Sequence, residues 1–203
     1  MISGSCLLHR QSMLEFLKEL DARLLVAINH SNNHVLDFLF YWISNKWIWI
    51  PFYFFLAYRV FKIDGRNGFI LMIFVAATIA VCDQLASSFL KNYFMRLRPC
   101  HEPGLADQIH LVKDYCGGQY GFVSSHAANV FGLSALLIRI FRGKNLIAGS
   151  ILWSWATIVS LSRVYLGAHY PGDIVGGAIL GVVVGSIFAG VYIQYIQKKK
   201  IKN

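Results

Sequence analysis

The segment SRVYLGAHYPGD, residues 162–173, places an arginine, a histidine and an aspartate between two apolar stretches. His169 and Asp173 are four residues apart, and Pro171 stands where proline prefers to begin a helix. A carboxylate one helical turn away can hold one ring nitrogen of an imidazole and leave the other free to attack an electrophile. The spacing therefore predicts an oriented, nucleophilic histidine at the start of a helix.

A second histidine, His126, follows Ser124 and Ser125 at the start of another apolar run. A helix that begins here presents free backbone N–H groups and the positive end of its dipole, which together bind anions. The serine hydroxyls add donors, and His126 could protonate a leaving oxygen. Each histidine alone is better explained as an ordinary hydrogen-bonded polar residue, so the prediction of acid–base chemistry depends on both converging.

Four cationic residues lie close to these segments: Lys91, Arg96, Arg98 and Arg163. Taken alone, Lys91 could reach toward lipid headgroups and Arg98 could simply precede a helix-ending proline. A buried arginine such as Arg163 needs an anionic partner.

Few carboxylates are placed to supply that partner. One lies within an apolar run, one is beside His169, and three occur in a polar loop: Asp83, Asp173, Glu102, Asp107 and Asp114. We therefore expect the missing negative charge to arrive with a ligand, and a phosphate group fits the deficit.

These residues are embedded in an apolar chain. Of its 203 residues, 56% are hydrophobic and 14% are charged, and the mean hydropathy is +0.51. Soluble domains carry about 25% charged residues. Five runs approach or exceed the length of a membrane span, namely 47–61, 68–90, 122–141, 146–161 and 174–196.

A sixth run, 24–43, is weaker because NHSNNH interrupts it. The expected fold is an all-α integral membrane protein, a helical bundle of five or six transmembrane helices with an N-terminal amphipathic helix. The alternative is a soluble protein with a large buried core.

Basic residues cluster at alternate ends of these runs, in the segments 58–68, 139–145 and 197–203. If the spans alternate in direction, all three clusters lie on one face, which the positive-inside rule makes cytoplasmic. The net charge of +9 is thus explained by topology, and no nucleic-acid partner is expected. The unusual polar residues collect on the opposite face, periplasmic or external in a bacterium, so the chain is expected in the inner, or cell, membrane.

The chain is expected to form a single domain. Residues 1–34 hold the N-terminal helix, 35–196 the transmembrane bundle and 197–203 a basic cytoplasmic tail. Apolar residues recur at helical spacing near the N-terminus: Leu14, Leu17, Leu20, Leu24 and Leu25. This pattern fits a helix lying at the membrane interface or, equally, a helix packed on the bundle.

The four cysteines give no metal-binding pattern. Cys100 and Cys116 share the polar loop 97–121, so an oxidising compartment would allow them to form a disulfide, while two free thiols are the simple alternative. Cys6 and Cys82 have no evident joint role.

Three motifs of the sequence resemble those of the type 2 phosphatidic acid phosphatase superfamily, membrane lipid phosphatases related to bacterial acid phosphatases and vanadium haloperoxidases. KNYFMRLRP, residues 91–99, matches the pattern K-x6-R-P, and SRVYLGAHYPGD matches S-R-x5-H-x3-D. VSSH, residues 123–126, corresponds to P-S-G-H, with Val123 replacing the proline and Ser125 the glycine. The motifs extend over about residues 85–180.

The resemblance implies a role for each matched residue. His169 would be the nucleophile that forms a phosphohistidine, Asp173 would orient it, and His126 would be the general acid. The implied phosphate ligands are Lys91, Arg98, Ser124 and Arg163. Ser125, in place of glycine, could obstruct close approach of the phosphate or add a hydroxyl donor. The resemblance implies that neither a metal nor another cofactor is needed.

The expected activity is metal-independent hydrolysis of a lipid phosphate or diphosphate at the outer leaflet. Candidate substrates are undecaprenyl diphosphate, lipid A phosphates, phosphatidylglycerol phosphate and phosphatidic acid, and the sequence does not choose among them. A lipid phosphotransferase would use the same residues. A non-enzymatic anion-binding or transport protein is a third alternative, which predicts that His169 is dispensable.

Overall fold

The computed structural model describes residues 4–141 and 146–202. Within these ranges the chain is all-α and contains no strand. The helices are α1 (Gly4–Asn29), α2 (His34–Ser44), α3 (Ile50–Asp64), α4 (Gly68–Gln84), α5 (Lys91–Phe94), α6 (Ser125–Ile140), α7 (Leu146–Tyr165) and α8 (Pro171–Lys202). A π-helical turn, Leu85–Leu90, joins α4 to α5.

Within residues 4–141 and 146–202, two helical segments are long and apolar enough to cross a membrane, judged by length and composition: Gly65–Phe94 and Pro171–Lys199. They contain the second and fifth apolar runs of the sequence. Helices α3, α6 and α7 coincide with the other three runs, and the number of membrane crossings stays a prediction.

The weak sixth run, 24–43, is divided between two helices. Helix α1 ends at Asn29 and α2 begins at His34. The side chain of Asn33 caps α2 by accepting hydrogen bonds from the backbone N–H groups of Val35 and Leu36 at 3.1 and 3.0 Å. The polar interruption in the sequence is therefore a helix boundary.

Helices α6 and α8 run parallel and touch through their backbones. Gly177, Gly181 and Gly185 line the face of α8 that meets α6, and an ideal Cβ at Gly177 would lie 2.5 Å from the carbonyl oxygen of Ser124. At the other two glycines a Cβ would overlap the α6 backbone. Small residues spaced by four allow such close approach of membrane helices. The contact places the N-termini of α6 and α8 side by side.

The C-terminal end of α8 lies beside the residues that precede α4, which brings two basic segments together. The ammonium group of Lys199 donates a hydrogen bond to the side-chain oxygen of Asn67 at 3.2 Å. Segments 58–68 and 197–203 therefore share one end of the bundle, as the sequence predicts. Of the third basic segment, residues 142–145 lie outside the described residues, as does Asn203 of the tail.

Large apolar side chains remain exposed along α4 and α8, including Phe69, Ile73, Ile179 and Ile187. An exposed apolar surface of this extent is unusual on a soluble monomer, and it suits contact with lipid.

Helix α1 divides its apolar residues between the bundle and the exterior. Leu25 is fully buried and packs in a cluster with Ile109, Val164 and Ile174. The earlier leucines, Leu14, Leu17, Leu20 and Leu24, are 41–51% exposed. The C-terminal half of the helix thus packs on the bundle, and its position relative to a bilayer stays a prediction.

Candidate active site

His169 and Asp173 meet at the start of α8, as their spacing predicts. His169 Nδ1 lies 3.3 Å from Asp173 Oδ2, and the backbone N–H of Tyr170 donates to the same oxygen at 3.1 Å. Both side chains are buried, with 1% of His169 and none of Asp173 exposed. Pro171 is the first residue of α8. Because a carboxylate only accepts, the Nδ1 of the neutral imidazole carries the proton and its other nitrogen keeps a free lone pair.

The environment of His169 favours the neutral imidazole. Burial lowers its pKa well below 6.5, and the nearby cations Arg98, Arg163 and Lys91 lower it further. The imidazole is therefore an available nucleophile at neutral pH.

The second predicted histidine occupies the first turn of α6. Ser124 is the N-cap of this helix, and its hydroxyl accepts from the N–H of Ala127 at 3.4 Å. The backbone N–H of Ser124 donates to the carbonyl oxygen of Asp173 at 3.0 Å, which ties the two helix starts together. The titratable groups that act electrostatically on His126 come from the same centre: Arg163, His169, Lys91 and Arg98. The two histidines therefore converge.

Lys91 reaches the centre because of the π-helical turn before it. Such a turn contains one residue more than an α-helical turn, so Lys91 points about 100° away from its direction in an uninterrupted α-helix. Its ammonium group donates to the Ser125 hydroxyl at 3.1 Å. The serine that replaces the motif glycine is thus a partner of the motif lysine.

Arg98 is buried among backbone carbonyls. Its guanidinium donates to the carbonyl oxygens of Tyr120, Cys116 and Ala168 at 3.2–3.3 Å. Gly117 has a φ of +90°, and a Cβ there would lie 3.0 Å from the guanidinium. The loop therefore encloses the arginine with neutral hydrogen-bond acceptors.

Arg163, near the end of α7, is also buried. One of its terminal nitrogens donates to the Ser44 hydroxyl at the end of α2, and its Nε has no hydrogen-bond partner in the described structure. A buried, unpartnered N–H group costs free energy unless a ligand satisfies it. Ser44 had no signal in the sequence, because its partner is 119 residues away.

The three motif cations form no ion pair with a carboxylate within residues 4–141 and 146–202. The ion pairs there join Arg23–Glu19, Arg96–Asp21, Arg96–Asp173, His110–Asp37 and His169–Asp173. The predicted deficit of negative charge is therefore present around Lys91, Arg98 and Arg163. A phosphate group would supply it.

Arg96 pairs with two carboxylates, which sequence reasoning did not anticipate. It donates to Asp173 Oδ1 at 2.8 Å and to Asp21 Oδ2, on α1, at 2.6 Å. The sequence separations of 77 and 75 residues leave no local signal for either contact.

A cavity of about 520 Å³ opens beside the centre. His126 and Arg163 are among the residues that line it, and its other walls include polar and aromatic side chains: Tyr41, Asn45, Lys46, Trp47, Lys113 and Tyr115. Trp47 also borders an apolar groove of about 510 Å³ on α2, formed with Phe38, Leu39, Trp42, Ile43 and Ile48. A cavity with charged and polar side chains in its walls thus adjoins an apolar surface.

The loop beside Arg98 contains a disulfide between Cys100 and Cys116, with their Cα atoms 6.1 Å apart. Of the two alternatives that the sequence left open, the structure has the bonded one. Ligand atoms of these cysteines and of His101 lie within 4.8 Å of one another, but disulfide-bonded sulfurs are not thiolate ligands. Cys82 is free and buried, and the side chain of Cys6 lies outside the described residues.

The site combines an oriented histidine with cations that have no carboxylate partner among the described residues, an arrangement suited to binding a phosphate group. The chain matches the model of the PAP2 superfamily over residues 67–197, and it belongs to that superfamily.

Curated relatives agree with this membership. The chain is 37% identical to the lipid A 4'-phosphatase of Porphyromonas gingivalis over 89% of its own length and 76% of that protein. It is 38% identical to the lipid A 4'-phosphatase of Bacteroides thetaiotaomicron, over 87% and 78% of the two chains. The protein is therefore a phosphatase.

Solved structures share the fold. A PAP2-type phosphatidylglycerolphosphate phosphatase from Bacillus subtilis superposes with a TM-score of 0.63 at 20% identity, covering 88% of this chain and 87% of that one. LpxE from Aquifex aeolicus gives 0.61 at 23% identity, covering 82% and 92%.

Proposed function

We propose that the protein hydrolyses the phosphate ester of a glycolipid of the lipid A type, without a metal, through a phosphohistidine at His169. The observation that carries the proposal is the buried His169–Asp173 pair beside three cations that have no carboxylate ion-pair partner in the described part of the chain. These cations can stabilise the charge of a transferring phosphoryl group, the part that metal ions take in other enzymes.

In the first step, the free nitrogen of His169 attacks phosphorus while Asp173 accepts a hydrogen bond from Nδ1–H. The bond between phosphorus and the lipid oxygen breaks, and His126 in its protonated form gives that oxygen a proton. Lys91, Arg98 and Arg163 hold the phosphoryl oxygens. The products are the lipid alcohol and phosphorylated His169.

In the second step, a water molecule attacks the phosphohistidine. His126, now neutral, accepts a proton from the water as its oxygen bonds to phosphorus. The P–N bond breaks, inorganic phosphate leaves, and His169 returns to its neutral state with His126 protonated again. One water is consumed for each ester cleaved.

The glycolipid preference is supported by two observations. The relatives at 37% and 38% identity, which cover 89% and 87% of this chain, are named lipid A 4'-phosphatases. The cavity beside His126 and Arg163 carries aromatic and amine side chains suited to a phosphorylated sugar, and the groove beyond Trp47 is apolar enough to receive acyl chains.

We also propose that the site opens to the periplasm. Two basic segments meet at the end of the bundle away from His169 and Asp173, where Lys199 contacts Asn67. The positive-inside rule makes that end cytoplasmic.

The test is phosphate release in detergent with EDTA present, from lipid A, phosphatidylglycerol phosphate, phosphatidic acid and undecaprenyl diphosphate. The wild type should release phosphate fastest from lipid A, and His169→Ala should release none. His30→Ala removes an exposed histidine that contacts the Gln108 carbonyl and should match the wild type.

Brief incubation with labelled lipid followed by alkaline denaturation should trap label on the wild-type chain and not on His169→Ala. Equal release by wild type and His169→Ala would refute the mechanism. Transfer of phosphate to an added lipid alcohol instead of water would indicate a phosphotransferase.

A further inference from the structure

Helix α1 contributes a side chain to the surroundings of the catalytic pair. Asp21 lies four residues before the buried Leu25, and Arg96 bridges it to Asp173 with N–O distances of 2.6 and 2.8 Å. The side chains of Asp21, Arg96 and Asp173 are 13%, 27% and 0% exposed. A chain of charged hydrogen bonds thus runs from α1 to His169.

Asp21 is held in place from two sides. Its Oδ2 accepts from Arg96, and its Oδ1 accepts from the backbone N–H of Gly172 at 2.7 Å. This N–H is one of the unsatisfied donors of the first turn of α8, where a carboxylate is favourable. A Cβ at residue 172 would lie 2.7 Å from Asp21 Oδ2, so a larger residue there would displace the carboxylate. Asp21 therefore caps the helix that carries Asp173.

The C-terminal end of α1 is also anchored by hydrogen bonds. Asn29 is fully buried and donates to the carbonyl oxygens of His110 and Tyr165 at 2.9 and 2.8 Å, while its own oxygen accepts from the His110 N–H at 2.8 Å. These contacts fix the register of the helix, and with it the position of Asp21.

Arg96 is itself fixed by its surroundings. Its guanidinium lies 3.9 Å from the centre of the Tyr170 ring, and its carbonyl oxygen accepts from the Gly121 N–H at 2.8 Å. The planar group meets both carboxylates and an aromatic face at once, a geometry that lysine cannot reproduce.

The chain of contacts leaves the phosphate-binding cations free. Asp173 is electrostatically coupled to Arg98 and Lys91, and without Arg96 those cations would be its nearest compensation. A carboxylate drawn toward them would turn away from His169 and compete with the substrate phosphate.

We infer that Arg96 and Asp21 are positioning residues of the reaction, which hold the Asp173 carboxylate against His169 and make α1 part of the catalytic machinery. The inference rests on the proposed phosphohistidine function. Neither residue is a matched position of the three motifs. The alternative is that Arg96 and Asp21 only attach α1 to the bundle and have no effect on the reaction.

The test compares Asp21→Asn, Arg96→Gln, Arg96→Lys and the double variant Asp21→Asn/Arg96→Gln. The matched control is Glu19→Gln, which removes an exposed ion pair with Arg23 on the same helix. We expect kcat per folded enzyme to fall about 10²-fold in Arg96→Gln with KM little changed, because a misplaced catalytic group costs about that much.

Asp21→Asn should lose about tenfold, and the double variant should be no slower than Arg96→Gln, because residues acting through one contact are not additive. Arg96→Lys should recover part of the loss. The control should match the wild type. A kcat unchanged in Arg96→Gln, or losses that multiply in the double variant, would overturn the inference.

A measurement without substrate separates this inference from the proposed function. The Nδ1 proton of His169, hydrogen-bonded to a carboxylate, should give a low-field NMR resonance that is absent in His169→Ala. It should shift or vanish in Arg96→Gln and Asp21→Asn and persist in Glu19→Gln. An unchanged resonance would overturn the inference even if lipid hydrolysis were confirmed, and an inactive wild type would refute only the proposed function.

Discussion

Replacing Gly177 by alanine adds one methyl group where α8 touches the start of α6. The new Cβ would lie 2.5 Å from the Ser124 carbonyl oxygen, whereas ordinary contacts begin at 3.4 Å. It would also lie 3.0 Å from the Cβ of Ala127. The nearest atom belongs to the backbone and cannot swing aside, so the two helices must separate by about 0.9 Å.

This separation would move His126 away from His169, because the two residues are carried by the touching helix starts. A displacement of about 1 Å costs about 10²-fold in rate. An extra methyl group in a tight contact also lowers the free energy of unfolding by about 1–3 kcal/mol. We therefore expect Gly177→Ala to lose about 10²-fold in kcat and to be measurably less stable.

The matched control is Gly190→Ala on the same helix, where no atom of the described residues lies within 4 Å of an added Cβ. Because alanine favours helix by about 1 kcal/mol over glycine, this variant should be active and no less stable. Phosphate release per folded molecule and thermal unfolding would be measured in one detergent. Wild-type turnover by Gly177→Ala would refute the claim that backbone contact sets the spacing of the histidines.

Three other features can be tested in the same preparations. The His169 imidazole should remain neutral at pH 6.5 in a 15N NMR titration because its pKa is lowered, and half-protonation there would contradict this. Since the unfolded chain binds that proton below about pH 6.5, folded-state stability should fall as pH decreases further. Lys46→Ala and Lys113→Ala should each raise KM for lipid A about tenfold, because each removes one hydrogen bond between a charged group and the substrate. Lys62→Ala should leave this KM unchanged. An equal effect of all three substitutions would exclude a role of Lys46 and Lys113 in binding the lipid headgroup. Cys116→Ser should lower the free energy of unfolding by about 3 kcal/mol in a denaturant titration, as expected for a loop of this length; an unchanged value would exclude a stabilising disulfide.

Local spacing explains which parts of the site could be predicted. His169 and Asp173 are one helical turn apart, so a rule of short range suffices to bring them together. Three glycines at intervals of four on α8 are a further signal in the sequence, typical of a close helix contact.

Long-range contacts explain what could not be predicted. One partner of Arg96 lies on α1, 75 residues away, and the Ser44 partner of Arg163 lies on α2, 119 residues away. Only packing decides such pairs, and an amphipathic pattern places Asp21 on the polar side of α1 without indicating what it meets. The boundary between α1 and α2 is set by the cap that Asn33 forms, and the polar segment NHSNNH is its signal in the sequence.

The π-helical turn Leu85–Leu90 has a consequence for insertions and deletions. The turn contains one residue more than a regular α-helical turn. Side chains before and after it therefore have the same relative orientation as in a continuous α-helix that is one residue shorter. Deleting one residue within the turn should convert it to α-helix and still direct Lys91 toward Ser125. Inserting one residue should instead rotate the lysine by about 100° and remove it from Ser125. At this position the chain should tolerate the loss of one residue better than the gain of one. The number of residues in the turn, rather than their side chains, keeps Lys91 directed toward Ser125.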